Sequence, residues 1–182
     1  HYHLIVKATA GDLSKFMNHL NSTIARKVGK QIGWSGKFWQ RRYSAAPILD
    51  EGALLERLDY ILQHGVKEGL VGFAGEWAGL NCIDSLTEDR LPTYPWVNET
   101  QLCLDGQTKA GAKEIAHYTE SLPVHLSPLP CWADLEADKR RQMAKAAVAT
   151  AQKSALEARG GLSALGMKRV LRQPCDSAPH TR

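Results

Sequence analysis

The chain has 182 residues, 43% hydrophobic and 23% charged, with a formal net charge of +4, enough to bury one good core and a small appendage. No apolar run approaches the roughly 18 to 20 residues of a membrane-spanning helix, and no basic stretch followed by an apolar secretory region opens the chain. Membrane and secreted classes are therefore set aside, and Cys82, Cys103, Cys131 and Cys175, scattered with no CxxC pair, fit a reducing cytoplasm better than a disulfide framework or zinc knuckle.

The charge is segregated. Residues 1–48 carry eight Lys/Arg against one Asp, residues 49–138 five against sixteen Asp/Glu, and residues 139–172 nine against one. The two ends, not the middle, suit polyanions.

Residues 1–7 (HYHLIVK) are aromatic and β-branched and read as a strand with His1, His3 and Ile5 on one face, ended by the Ala8–Gly11 break. Because the chain opens inside what reads as a core strand, it is expected to be a piece of a longer protein. Asp12 or Ser14 can cap a helix whose Leu13, Phe16, Met17, Leu20, Ile24 and Val28 recur at helical spacing. Its outer face is basic and amide-rich, with Lys15, Asn18, Asn21, Arg26, Lys27 and Lys30.

Residues 33–48 (GWSGKFWQRRYSAAPI) read as an irregular loop feeding a strand, and Asp50 starts a second helix to about His64. On that helix Leu54, Leu55, Leu58, Ile61 and Leu62 fall in one arc, with Tyr60 and His64 on the far side, so Tyr60 is no core tyrosine. Residues 76–106 show little periodicity and are expected to form loops and short helices, followed by a helix near 107–121. A proline-stiffened connector over 122–130, a long basic helix over 133–158, a short basic helix over 162–172 and a disordered tail beyond Pro174 complete the reading.

Three groups of residues could carry chemistry. His1 and His3, two apart on a strand, lie about 6 to 7 Å apart at Cα on one face, so both imidazoles can reach one divalent ion. Tyr60 and His64, at i and i+4, offer a phenolic nucleophile and a third ligand from one helix face. A phenolate attacking a phosphodiester gives a phosphotyrosine ester, and a metal on a non-bridging oxygen offsets the developing charge. The third group is the tract containing Lys37, Trp39, Gln40, Arg41 and Arg42, where cations meet phosphates and aromatic faces stack unpaired bases. Lys27 and Lys30 extend this DNA-binding set from the first helix, and Arg140 and Arg141 from the basic tail. For each group the ordinary reading is exposed histidines, a structural tyrosine, core aromatics and solvated cations; it is their joint placement that favours nucleic acid.

The strand HYH run, the amphipathic helix, the W-x-G-x-x-W-Q-R-R-Y stretch from Trp34 to Tyr43, and the Tyr60 helix followed by G-V-K-E-G-L-V together resemble the REP-associated tyrosine transposases, of the single-tyrosine HUH group. The likeness covers residues 1–80 clearly and the tail loosely, through Leu129–Trp132 and Leu165–Gly166. It implies an α/β (α+β) fold, a ferredoxin-like antiparallel sheet with packed helices, incomplete at its N-terminus and followed by a helical C-terminal extension. Residues 1–80 would then be part of a catalytic domain, 81–130 an irregular extension and connector, and 131–182 a basic helical tail.

By the same resemblance, His1 and His3 match the family's pair of ligands for Mg²⁺ or Mn²⁺, Tyr60 its nucleophile, and His64 its third ligand, usually Asn or Gln. The imidazole at 64 is a departure expected either to shift preference towards Mn²⁺ or a softer ion or to weaken activity, and Gly65 stands where the family commonly has proline. The function implied is a DNA transposase that cleaves and rejoins single strands beside hairpins through a 5′-phosphotyrosine. The partners implied are single-stranded or hairpin DNA and a second copy of the chain in a homodimer, with no membrane. The alternatives are an inactive hairpin DNA-binding protein and a replication-initiator or relaxase-type nuclease.

Overall fold

The Asp50 side chain accepts a hydrogen bond from the Ala53 amide at 2.8 Å and so opens the helix that organises the molecule. Such a cap contributes about 1 kcal/mol, and Glu51 in the first turn adds to it through the helix dipole. In this computed structural model, which describes residues 1–8, 11–107 and 111–174, the elements run α1 (Leu13–Ile32), α2 (Glu51–Lys67), α3 (Ile83–Thr87), β1 (Thr93–Val97), α4 (Glu99–Leu104), α5 (Ala112–His117), β2 (Thr119–Pro123), α6 (Ala137–Arg159) and α7 (Met167–Leu171).

The core is the seam between α2 and α6. Leu54, Leu58, Leu62 and Val66 step along α2 four residues at a time and are all buried. Leu58, Leu62 and Val66 cluster with Ala144, Ala151 and Ala155 of α6, whose small side chains let the two helices approach closely. Trp132 fills one end of the seam beside Leu58 and Leu62, with Ile83 and Leu86 of α3 packed against it. At the other end Val66, Val71 and Ala155 form a second cluster, closed by Ala74 and Trp77. Each such aliphatic side chain taken out of water stabilises the fold by about 1.5 to 3 kcal/mol. The seam joins α2, from the first expected segment, to α6, from the last.

Gly65 permits the turn at the end of α2. A Cβ there would lie 3.3 Å from Val71 Cγ2, and its carbonyl accepts from the Leu70 and Val71 amides at 2.9 and 3.2 Å. The helix therefore runs past His64 to Lys67, and the chain folds back beneath it. Further on, the Leu165 and Gly166 amides donate to the Gly69 and Leu70 carbonyls at 2.7 and 3.0 Å, so the stretch before α7 is laid against this turn.

The ferredoxin-like sheet expected from the sequence is not formed. Among the described residues there are seven α-helices and one two-stranded antiparallel sheet, β1 with β2, in which Thr93 faces Pro123 and Val97 faces Thr119. Residues 1–7 carry strand-forming side chains but have no neighbouring strand to supply backbone partners, and without a ladder an extended segment is not a strand. The same holds for the strand expected before Ile48. The two strands that do form lie where loops and a helix were expected; Pro95 is tolerated in β1 because a two-stranded sheet is all edge. The long basic helix forms as expected, the second basic helix shortens to α7, and the tail beyond Pro174 lies outside the described residues.

Helix α1 forms where its periodicity places it, and Gly33, at φ 63°, takes the left-handed conformation that closes its last turn. Its apolar stripe is poorly covered, with Met17 and Gly29 buried while Phe16 and Val28 remain exposed. It packs instead on two irregular pieces of chain, residues 1–7 and the loop after Gly33. The Tyr2 hydroxyl donates to Asn21 Oδ1 at 2.6 Å and Trp39 Nε1 donates to the Asn21 carbonyl at 3.0 Å. Tyr43 and Ser14 share a hydroxyl contact of 3.2 Å. No helix among the described residues is long and apolar enough to cross a membrane.

Candidate functional site

Although residues 1–7 are not a strand, their side chains still alternate. Tyr2 turns towards α1, where its ring meets Trp39 edge-on at 5.8 Å, while His1 and His3 turn towards α2. Ile5 packs against the core cluster and anchors the segment. His64, one turn before the end of α2, meets both histidines. His1 Nε2 lies 2.9 Å from His64 Nε2, and the His3 and His64 rings are 4.8 Å apart. The four expected site residues outside the basic tracts thus come together, because the Tyr60 ring is 5.3 Å from His3 and 5.6 Å from His64.

One nitrogen from each of His1, His3 and His64 lies within 4.8 Å of the others. A tetrahedral ion with bonds of about 2.0 to 2.1 Å needs nitrogens about 3.4 Å apart, and an octahedral one about 2.9 Å for neighbouring ligands. The His1–His64 spacing already meets the second value, and a His3 nitrogen lies within 4.8 Å of both. The donor set therefore fits a divalent ion. Three imidazoles with no carboxylate suit a transition metal better than Mg²⁺, which favours oxygen. Partial burial above all, with the neighbouring His64 imidazole, holds the His3 imidazole below its ordinary value. That keeps a lone pair available at neutral pH. Tyr60 is 41% exposed, so its hydroxyl is reachable from solvent beside the three nitrogens.

The expected DNA-binding residues divide into three environments. Lys30, Lys37 and Trp39 line an open cleft of about 590 Å³ between α1 and the loop that follows it. Gln40, Arg41 and Arg42 are exposed on that loop, outside the cleft lining. Lys27, Arg140 and Arg141 have partners within the chain. Lys27 pairs with Glu99 at 3.2 Å, Arg140 donates to the Leu135 carbonyl at 2.5 Å, and Arg141 bonds Asp89 and Asp138. Asp89, beside these pairs, has φ 50°, left-handed for a residue with a side chain.

Of the residues that complete the cleft, the sequence singled out Phe38 beside Trp39 as an aromatic of the basic tract, whereas it assigned no site role to Arg26, Trp34 or Asn21, the last of which ties Tyr2 and Trp39 to α1. The signal for Asn21 and Arg26 was their place on the amide-rich, basic face of the helix. Nothing in the spacing shows that the loop folds back over that face. Compared with protein-family models, curated proteins and solved structures, the chain finds no match.

Proposed function

We propose that this protein is a single-strand DNA endonuclease and strand transferase that works through a tyrosine ester at Tyr60 with a divalent ion at His1, His3 and His64. The observation that carries this reading is the convergence of three imidazoles, two of them from the first three residues and the third from α2, beside an exposed tyrosine that belongs to no apolar stripe. A bound ion would polarise a non-bridging phosphate oxygen and offset the charge of the transition state.

The protein residues supply the rest. Tyr60 Oη, losing its proton, attacks phosphorus; the bond from phosphorus to the 3′ oxygen breaks, and that oxygen leaves as a 3′ hydroxyl after taking up a proton. A 5′-phosphotyrosine remains, which keeps the energy of the broken phosphodiester. A 3′ hydroxyl from a second cleaved end then attacks the ester, a new phosphodiester forms, and Tyr60 recovers its proton. No external energy source is consumed. The segregated positive charge of residues 1–48 supports the polyanionic substrate, and the three-nitrogen donor set favours Mn²⁺ or a softer ion over Mg²⁺.

The test mixes the full chain with single-stranded hairpin DNA and Mg²⁺, Mn²⁺ or Zn²⁺ and resolves the products on a denaturing gel. A covalent protein–DNA band lost in Tyr60→Phe and in chelator supports the assignment. An adduct that persists in Tyr60→Phe, or no adduct with any of the ions, overturns it; binding without an adduct then favours a non-catalytic hairpin binder.

A further inference from the structure

We infer that the cleft between α1 and the loop after Gly33 is a subsite for one unpaired nucleotide of the DNA strand, its base against Trp34 and Phe38 and its phosphate held by Arg26, Lys30 and Lys37. This rests on the nucleic-acid reading above and adds to it a place for a base outside the Tyr60 site.

The walls are chemically divided. One side is aromatic, with Trp34 and Phe38 at 6.3 Å and 78°, and Phe38 and Trp39 at 5.0 Å and 79°. Trp34 meets Phe38 edge to face and is 48% exposed, so its ring is open to a stacking base, with Phe38 beside it. The opposite side is the outer face of α1, where Arg26 and Lys30, one turn apart, are joined across the opening by Lys37. None of these three cations is ion-paired among the described residues, in contrast to Lys27 and Arg141. The two walls meet at Gly29, where Phe38 Cδ2 and Trp34 Cβ lie 3.7 and 3.8 Å from the position a Cβ would take, an ordinary contact distance. A volume of about 590 Å³ admits a nucleotide and is too small for a duplex.

The cleft is also coupled to the Tyr60 site. Trp39, in its wall, contacts Tyr2, which stands between His1 and His3, and the Asn21 bonds fix both rings. Segment 1–3 thus separates the two sites, with the histidines on one side and the cleft on the other. A strand held in the cleft is positioned relative to the phosphodiester at Tyr60 by a single short piece of chain.

The experiment uses the full chain carrying Tyr60→Phe, with chelator present, so that cleavage and metal play no part. Binding of fluorescein-labelled oligo(dT) is read by anisotropy, and tryptophan emission by quenching. Trp34→Leu should weaken binding by about 5- to 150-fold, the span of one base–aromatic stack, and remove much of the quenching. Ala25→Leu, which fills the cleft without changing charge and at little cost in helix propensity, should weaken it similarly, and circular dichroism checks that both variants remain folded. Lys30→Ala should lower the slope of log affinity against log salt by about 0.7. Unchanged affinity in folded Trp34→Leu and Ala25→Leu overturns the subsite, as does failure of the parent protein to bind oligo(dT) at low salt. Adduct formation on hairpin DNA by the wild-type chain distinguishes the cases: if it survives, the subsite alone is wrong, and if it is absent the catalytic reading fails as well.

Discussion

Helices α1 and α2 are 20 and 17 residues long and both carry an apolar stripe at helical spacing, yet they are used differently. In α2 the stripe is covered along its length by the alanine face of α6, and the exposed side is left free to present Tyr60 and His64. In α1 most of the stripe stays partly open, and the helix is held by hydrogen bonds from Tyr2, Trp39 and Tyr43. A hydrophobic seam fixes the position of α2 to packing precision, which a catalytic side chain needs. Polar tethers and an open cleft make α1 adaptable, which suits contact with a flexible strand.

The largest test of that contrast is stability. Leu62→Ala should cost about 2 to 5 kcal/mol by urea unfolding, because it opens a cavity in the seam. Phe16→Ala, on the open stripe, should cost less than about 1.5 kcal/mol. Equal losses would show that α1 belongs to the same cooperative core and would dissolve the distinction.

Next comes metal affinity. His64→Ala should weaken Mn²⁺ or Zn²⁺ binding, measured by calorimetry, by more than the roughly 10- to 100-fold typical of an outer-shell partner, since it removes a donor outright. Binding by the wild type should also weaken as pH falls and the ligating imidazoles take up protons. Affinity indifferent to both changes would place any ion elsewhere.

A smaller effect is expected where α1 is paired to α4. Lys27→Ala breaks the exposed pair with Glu99 and should change stability by less than about 1 kcal/mol. A larger loss would mean that α1 is fixed by this pair rather than by the Asn21 bonds. The smallest signal is chemical. Burial pushes the Cys82 thiol up, where it packs against the core, whereas Cys103 is exposed, so alkylation followed by mass spectrometry should label Cys103 well before Cys82. Comparable labelling would mean that the α3 side of the seam opens readily.

Much of the site was legible before the fold. The i, i+4 spacing of Tyr60 and His64 sets their common face on any helix, and α2 was written in its leucines and its Asp50 cap. The basic, amide-rich side of α1 likewise followed from spacing. The sheet was not legible. Strand-like composition in residues 1–7 describes side chains, whereas a strand requires a partner, and the resemblance that supplied one carried over an architecture these residues do not adopt. In the opposite direction, Thr93–Val97 and Thr119–Pro123 were passed over because Pro95 and the irregular flanks obscured a pairing between segments far apart in sequence.

The sequence by itself determined local events: which stretches coil into helices, where Asp50 and Gly33 begin and end them, and which faces carry leucine, lysine or tyrosine. These depend on contacts within a few residues. Only the tertiary structure decided that His1 and His3 reach His64, that the alanine stripe of α6 covers α2, that Arg141 is occupied by Asp89 and Asp138, and that Trp34 and Phe38 fold over Arg26 and Lys30. The histidine, helix-seam and Arg141–Asp89 contacts join residues far apart along the chain, whose separation says nothing about their distance in space; they meet because burying the helical seam fixes where the irregular segments between the helices must pass.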